Sequence, residues 1–302
     1  MSGGVDSSVA AKRLVEQGHE VVGVTLHLWD YPDHGHKGRC CAPEDQYDAR
    51  RVADKLGFPH YTFDRRERFR ETVVDPFVSD YLSGITPSPC VSCNRSVKMR
   101  ELLGIADRLG ASKVATGHYA RIVRRGGRSE LHRAADLDKD QSYFLHMLGD
   151  DELDRVVLPL GESHKPEVRG EALGAELAGA EKGESQELCF VPPGRYAEFV
   201  EQRADGRIRP GRILAPDGAP VMPHAGLHRF TIGQRKGLGV ALGRPVFVQG
   251  IDGETGDVRL GYDDDLGVRE ALLVREVCFR AGVRLPLRAR VKVRARHGGA
   301  QA

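Results

Sequence analysis

Residues 1–8 read Met1-Ser2-Gly3-Gly4-Val5-Asp6-Ser7-Ser8, a segment built to hold an anion. Glycine lets backbone N–H groups approach a ligand without a Cβ in the way. Ser2, Ser7 and Ser8 add hydroxyls, and a helix beginning near Asp6 adds unpaired N–H groups and the positive end of its dipole. No lysine follows the glycines, so this is not the loop type that moves a γ-phosphate. The chemistry it suits is splitting ATP between its α- and β-phosphates, with pyrophosphate leaving and an adenylate forming. The plainer alternative is a glycine turn that only caps a helix.

The second source of chemistry is sulfur. The six cysteines are Cys40, Cys41, Cys90, Cys93, Cys189 and Cys278. In a long chain with no visible signal peptide they read as reactive or ligating thiols rather than a disulfide framework. Cys90-Val91-Ser92-Cys93 sits where a loop runs into a helix, and a thiol near a helix N-terminus ionises more readily. Cys189 follows about a hundred residues later, in Glu187-Leu188-Cys189-Phe190. Two cysteines brought together by folding suit sulfur relay, in which one thiol carries a persulfide and the other releases the sulfur as a disulfide forms. A second chemistry stays open: Cys90, Cys93 and Cys189 could be three thiolate ligands of a [4Fe–4S] cluster with one open iron. Adjacent Cys40 and Cys41 are poorly placed for a tetrahedral zinc. Cys278, between Val277 and Phe279, reads as a buried bystander.

These groups need a scaffold. Helices are expected over 6–16, 44–56, 67–82, 94–109 and 166–178, the last with Pro166 in its first turn. Strands are expected over 21–26, 61–63 and 113–116, the last running into Gly117-His118-Tyr119. The βα alternation predicts an α/β, doubly wound parallel sheet with ligands at the carboxyl ends of its strands. A phosphate loop of this kind follows a buried strand; only Met1 precedes it, so that strand is expected upstream. After Cys189, Pro-Gly and Asp-Gly turns separate short β-like runs, which marks a second, mainly β region. The run 288–296 alternates so that Arg288, Arg290, Lys292, Arg294 and Arg296 share one strand face. Such a face suits RNA phosphate; the plainer alternative is a solvated surface.

Charged residues at 29% and hydrophobic ones at 40% are ordinary for a soluble globular protein, and a net charge of +2 says little about partners. No apolar run approaches the ~20 residues that span a bilayer. The cytoplasm is therefore the expected location, with no membrane partner.

Several further segments occur in a fixed order after the loop. They are Thr86-Pro87-Ser88-Pro89 with Cys93-Asn94, then Thr116-Gly117-His118-Tyr119, then Lys139-Asp140-Gln141-Ser142-Tyr143-Phe144-Leu145. Cys189-Phe190 and Thr231-Ile232-Gly233-Gln234-Arg235-Lys236-Gly237-Leu238-Gly239 complete the set. With these the chain resembles the tRNA-specific 2-thiouridylases over nearly its whole length. The resemblance implies a PP-loop ATP-pyrophosphatase domain over 1–186, a central tRNA-binding domain over 187–266, and the start of a C-terminal β-barrel over 267–302. It implies thiolation of C2 of the wobble uridine of tRNA, with ATP, Mg²⁺ and a persulfide-donating protein, and leaves the oligomeric state open.

Residue by residue, the resemblance gives Ser2, Gly3, Gly4, Val5, Asp6, Ser7, Ser8, Leu26 and Gly117 to ATP. It makes Cys189 the persulfide carrier and Cys93 its partner thiol. Ser88, Pro89, Cys90, His118, Lys139, Asp140, Gln141 and Arg294 go to tRNA. Taken alone, Asp140-Gln141 would be a helix start with Asp140 as its cap. Three positions depart from the family pattern. Leu26 replaces a usual Met, Cys90 stands where some members carry Asp, and Ala295 replaces a Tyr beside Arg294. Cys90 supplies the third thiolate of the cluster alternative. Two rivals of other classes are a non-catalytic tRNA-binding protein and an ATP-pyrophosphatase acting on a small molecule.

Overall fold

The computed structural model describes every residue except 31–42, 184–187, 263–273, 275–276, 278, 281, 296–297 and 302. Cys40, Cys41, Cys278 and Arg296 therefore lie outside the described residues. In chain order the elements are α1 (Val5–Glu16), β1 (Gly23–His27), α2 (Pro43–Leu56), β2 (His60–Asp64), α3 (Arg66–Phe69), α4 (Asp75–Leu82), α5 (Pro89–Cys93) and α6 (Arg100–Leu109). They continue with β3 (Val114–Ala115), β4 (Ala120–Arg125), β5 (Arg128–Arg133), α7 (Asp150–Arg155), β6 (Val156–Val157), α8 (Lys165–Gly174) and α9 (Tyr196–Glu201). The last strands are β7 (Gly211–Leu214), β8 (Pro220–His224), β9 (Phe247–Ile251), β10 (Val258–Gly261), β11 (Arg290–Val291) and β12 (Ala300–Gln301). They fall into two compact units, one of Met1–Thr72, Cys90–Phe190 and Val277–Ala302, the other of Val73–Pro89 and Val191–Glu276. Among the described residues no helix is long and apolar enough to cross a membrane.

The first unit is α/β. β1 and β2 pair in parallel from Gly23↔His60 to His27↔Asp64, and β3 and β6 pair in parallel at Val114↔Val156. Helix α1 starts where expected: Gly4 is extended, Asp6 is the acid of the first turn, and the chain leaves the helix through Gly18 at φ +81°. Its inner face, Val5 and Val9, packs on Val168 and Ala172 of α8 and on Leu160 and Tyr119. Burying each of the valine and leucine side chains contributes about 1.5–3 kcal/mol.

Polar groups fasten the same two helices. Arg13 donates to Glu171 at 2.8 Å and to Ser163 Oγ at 2.7 Å, and Lys12 reaches Glu171 at 3.1 Å. Burial pushes the Glu171 carboxyl up, but Arg13 and Lys12 outweigh it and hold the pKa below the ordinary value. A carboxylate lowered in this way stabilises the fold above its unfolded pKa and loses that contribution as pH falls through the folded one. Glu171→Gln is therefore expected to cost about 1–2 kcal/mol at pH 7, between the exposed and fully buried limits. Thermal melts at pH 7 and pH 3 check this; a deficit of equal size at both would mean the ion pairs contribute nothing.

Several elements differ from the expectation. The helix expected over 67–82 contains a π-helical segment at Arg70–Val74, and the one over 94–109 starts earlier, at Pro89, with a π-helical segment at Asn94–Met99. Helix α8 ends at Gly174, short of 178. The hairpin β4–β5 was not anticipated; Gly126 and Gly127 both take positive φ (+54° and +76°) between Arg125 and Arg128, the geometry of a two-residue hairpin turn. The basic strand over 288–296 shrinks to Arg290–Val291. Residues 293–295 bend out of the strand, so the expected row of five cations on one strand is not formed among the described residues.

The second unit holds a four-stranded sheet in the order β8-β7-β10-β9, with β10 parallel to β7 and antiparallel to β9. Ile213, Val248, Val258 and Leu260 form its core. Helices α4 and α9 belong to it as well: Phe77 meets Phe199 edge-on at 6.2 Å and Tyr81 meets Tyr196 at 5.3 Å.

Candidate active site

Strands β1 and β3 share no hydrogen bonds, and both line a cavity of about 1410 Å³ in the first unit. That exceeds the 300–1,000 Å³ usual for a ligand pocket, because the cavity also fills the gap between these two strands. Its polar end is the phosphate loop: Ser2, Gly4, Val5, Asp6 and Ser7 line it, with Leu26 and Gly117.

Gly3 and Ser8 support that end from behind. Gly3 takes φ +66°, and a Cβ there would lie 2.1 Å from the Asp45 carbonyl oxygen. Ser8 is buried and donates to the Gly4 carbonyl at 3.0 Å. Ser7 also donates to Gly4 O, at 3.1 Å, and accepts from the Ser2 N–H. Gly117 lets the turn after β3 approach the loop, since its Cβ would sit 2.7 Å from the Asp6 carbonyl carbon. Asp6 Oδ1 accepts from Tyr119 Oη at 2.9 Å and from Lys165 Nζ at 2.6 Å.

His118, Lys139, Asp140 and Gln141 line the same cavity. Gln141 clasps Tyr119 twice, accepting its N–H at 2.9 Å and donating its own N–H to the Tyr119 carbonyl at 2.8 Å. Asp140 accepts from the N–H groups of Ala134 and Ser142 and from the Ser142 hydroxyl, so its carboxylate holds the start of the 3₁₀ turn Ser142–Leu145. His118 places Nδ1 2.8 Å from Thr116 Oγ1. Burial, reinforced by the Lys98 ammonium, lowers its pKa to about 3, so the ring is neutral at physiological pH.

This shift has a sign that can be tested. The unfolded chain takes up a proton below about pH 6.5 and the folded His118 does not, so stability should fall as pH drops from 6.5 towards 3. His118→Asn is expected to remove that part of the acid sensitivity. Melting curves between pH 7 and pH 4 read it; identical slopes for both proteins would mean that the ring protonates freely in the fold.

The thiols lie elsewhere. None of Cys90, Cys93 and Cys189 lines the cavity; Cys90 is exposed, Cys93 buried and Cys189 partly exposed. Cys93 is nonetheless tied to the cavity wall through its neighbour. Asn94 is buried and its Nδ2 donates to the Phe144 carbonyl at 3.3 Å, and Phe144 lines the cavity. Cys189 is anchored through Phe190, which packs edge-on against Phe69 at 5.5 Å and Trp29 at 6.2 Å. Among the described residues no three His, Cys, Asp or Glu side chains are grouped to hold a metal, so the three cysteines do not fit the cluster alternative. Ser88, Pro89 and Arg294 also stand outside the cavity, Ser88 and Arg294 exposed and Pro89 buried.

Besides the expected Lys139 and Lys292 of the basic run, Lys98, Lys113, Lys165, Arg169 and Lys182 line the cavity, as does Asp45, and sequence reading had singled out none of these six. Lys182 Nζ bridges Asp45 at 2.5 Å and Asp48 at 2.6 Å; burial works to lower its pKa, and the two carboxylates leave it raised. One of these cations stands where the fold least favours it. Lys165 opens a helix, where the dipole disfavours a cation, yet it is nearly buried.

Known proteins share this arrangement's sequence. A family model described as "tRNA methyl transferase HUP domain" matches residues 1–193, and one described as "tRNA methyl transferase PRC-barrel domain" matches residues 197–262. A protein of Sorangium cellulosum (strain So ce56) named tRNA-specific 2-thiouridylase MnmA is 64% identical over 301 residues, covering 99% of this chain and 78% of that one. Proteins of the same name from Solibacter usitatus (strain Ellin6076) and Mycobacterium avium (strain 104) are 47% and 48% identical. They cover 100% and 99% of this chain, and 86% and 83% of their own lengths are matched. The chain belongs to the tRNA-specific 2-thiouridylase family of tRNA-modifying enzymes, with a HUP domain followed by a PRC-barrel domain.

Proposed function

We propose that this protein uses ATP to thiolate C2 of the wobble uridine of tRNA in the cytoplasm. The observation that carries the reading is one cavity in which a lysine-free phosphate loop meets the Gly117-His118 turn and residues 139–141. Ser2, Gly4, Asp6, Ser7, Leu26 and Gly117 hold the nucleotide, with Gly3, Val5 and Ser8 fixing the loop. The uracil C2 oxygen attacks the α-phosphorus and pyrophosphate leaves, which turns that oxygen into part of an AMP leaving group. Cys189 receives its outer sulfur from a persulfide-donating protein. Cys93 attacks the Cys189 sulfur, a Cys93–Cys189 disulfide forms, and the hydrosulfide released adds at C2 as AMP departs.

Asp6 is the residue that would hold magnesium brought in with ATP. An ion already bound to phosphates needs only one or two protein carboxylates, and Asp6 offers one from the cavity wall. The ion would supply neutralising charge to the pyrophosphate. Lys139, Gln141, His118, Ser88, Pro89, Cys90 and Arg294 face the tRNA in this reading, and Asp140 acts through the turn it holds. The division into 1–186, 187–266 and 267–302 is part of the same proposal.

The test is anaerobic thiolation of unmodified tRNA by the full chain with MgATP and a persulfide-donating protein, with iron quantified on the same sample. Thiolated wobble uridine without bound iron is the expected result. Activity that tracks iron content would move the chemistry to a cluster. Salt-dependent tRNA binding with no thiolation would leave a non-catalytic RNA binder.

A further inference from the structure

A phosphate loop of the Gly-x-x-x-x-Gly-Lys type carries its own cation, and residues 2–8 carry none. The charge must come from another element, and Lys165 stands out among the cavity's cations. It is 8% exposed, and lysine is almost never so buried unless paired. It is the first residue of the ten-residue helix α8, where the dipole repels a positive side chain. Its Nζ lies 2.6 Å from Asp6 Oδ1, within the loop itself, and 5.6 Å from the centre of the Tyr119 ring.

A structural brace does not explain this placement, because α1 and α8 are already joined through Arg13, Lys12 and Glu171. Lys182 differs, being held by two carboxylates of α2, Asp45 and Asp48. The carboxylate that Lys165 meets at 2.6 Å belongs to the phosphate loop.

We propose that Lys165 supplies the cation the loop lacks, its ammonium passing from Asp6 to the β- and γ-phosphoryl oxygens of ATP. The proposal rests on reading the site as an adenylating one. There the uracil oxygen forms its bond to the α-phosphorus, the bond from that phosphorus to the bridging oxygen breaks, and the electron pair leaves with pyrophosphate. Lys165 neutralises the charge that accumulates on the departing group. It therefore acts on the part of ATP that AMP does not have.

The experiment measures dissociation constants of MgATP, inorganic pyrophosphate and AMP by calorimetry on the full chain. The proteins are wild type, Lys165→Met and Lys165→Arg. Loss of a charge-assisted hydrogen bond predicts that Lys165→Met binds MgATP and pyrophosphate about ten- to a hundredfold more weakly. AMP binding should change less than about twofold, and Lys165→Arg should recover much of the loss. If Lys165→Met fails to fold, Asp6→Asn is compared with Asp6→Asn/Lys165→Met, which leaves no unpaired buried charge. The same selective loss is expected between those two. Equal weakening of MgATP and AMP would overturn the proposal and make Lys165 a support for the loop. A wild-type protein that binds none of the three ligands would instead bring down the adenylating reading, and this proposal with it.

Discussion

Cys189→Ser is expected to abolish tRNA thiolation and to leave MgATP binding at its wild-type level. The two effects separate because the thiol and the nucleotide loop occupy different places: Cys189 does not line the cavity that holds residues 2, 4, 6 and 7. Serine is close to cysteine in size, and the segment is fixed by its neighbour, so the fold should not change. Phe190 is 3% exposed and packs on Phe69 and Trp29, the one tryptophan of the chain, so unchanged Trp29 fluorescence would confirm that the segment is seated. A hydroxyl cannot accept sulfane sulfur, so no persulfide should be trapped from a labelled donor. Cys93→Ser should give the complementary result, with persulfide accumulating on Cys189 and no product. Each assay is a single-turnover reaction with labelled donor, followed by mass spectrometry of the protein and nucleoside analysis of the tRNA. Wild-type product from Cys189→Ser would end the relay mechanism.

The parts of this site that were legible in the sequence are those whose physics is local. Residues 2–8 announce a phosphate loop because glycines, hydroxyls and a helix start are adjacent, and α1 begins at Val5 as that pattern requires. The parallel strands were legible from apolar runs between helices, and Gly23–His27 lies close to the expected 21–26. Hairpin β4–β5 carried its signal in Gly126-Gly127, but its strands are rich in arginine and lack a clean apolar alternation, so periodicity passed over them. The basic run 288–296 failed the other way. It has perfect alternation, yet among the described residues only Arg290 and Val291 are paired, with Gln301 and Ala300. What no local reading could reach were pairings such as Lys165 with Asp6 and Lys182 with Asp45, which lie 159 and 137 residues apart in sequence. Asp140 shows that both readings of one residue can be weighed. It sits at the cavity, but its carboxylate is occupied by three donors of its own loop.

Taken together, these pairings describe a site that neutralises itself before ligand arrives. Asp6 offsets Lys165, and Asp45 with Asp48 offsets Lys182. The charge a nucleotide will need is therefore already buried, held in place by acids of the loop and of α2. The arrangement explains how Lys165 and Lys182, two of the seven lysine and arginine residues that line the cavity, can be held there inside a stable fold. It also makes the loop's one acid answerable for both stability and chemistry.

Asp6→Ala should show both at once. Removing the carboxylate takes away the oxygen 2.9 Å from Tyr119 Oη and the negative charge 2.6 Å from Lys165 Nζ, which stays nearly buried at a helix N-terminus whose dipole repels it. Breaking a buried pair costs about 3–5 kcal/mol, and because the Asp6 side chain is 36% exposed the expected cost here is nearer about 1–3 kcal/mol. The melting temperature should fall by several degrees, and MgATP-dependent adenylation should fall sharply as the magnesium ligand is lost. Two further variants divide the effects. Asp6→Asn keeps an acceptor for Tyr119 but no charge, so it should recover part of the stability and little of the activity. Asp6→Ala/Lys165→Met removes both charges, and should be more stable than Asp6→Ala alone while remaining inactive; this non-additivity measures the pair. Wild-type adenylation kinetics in Asp6→Ala would remove this residue from the nucleotide chemistry. Strictly additive melting temperatures would mean that Lys165 does not depend on Asp6 for its place in the fold.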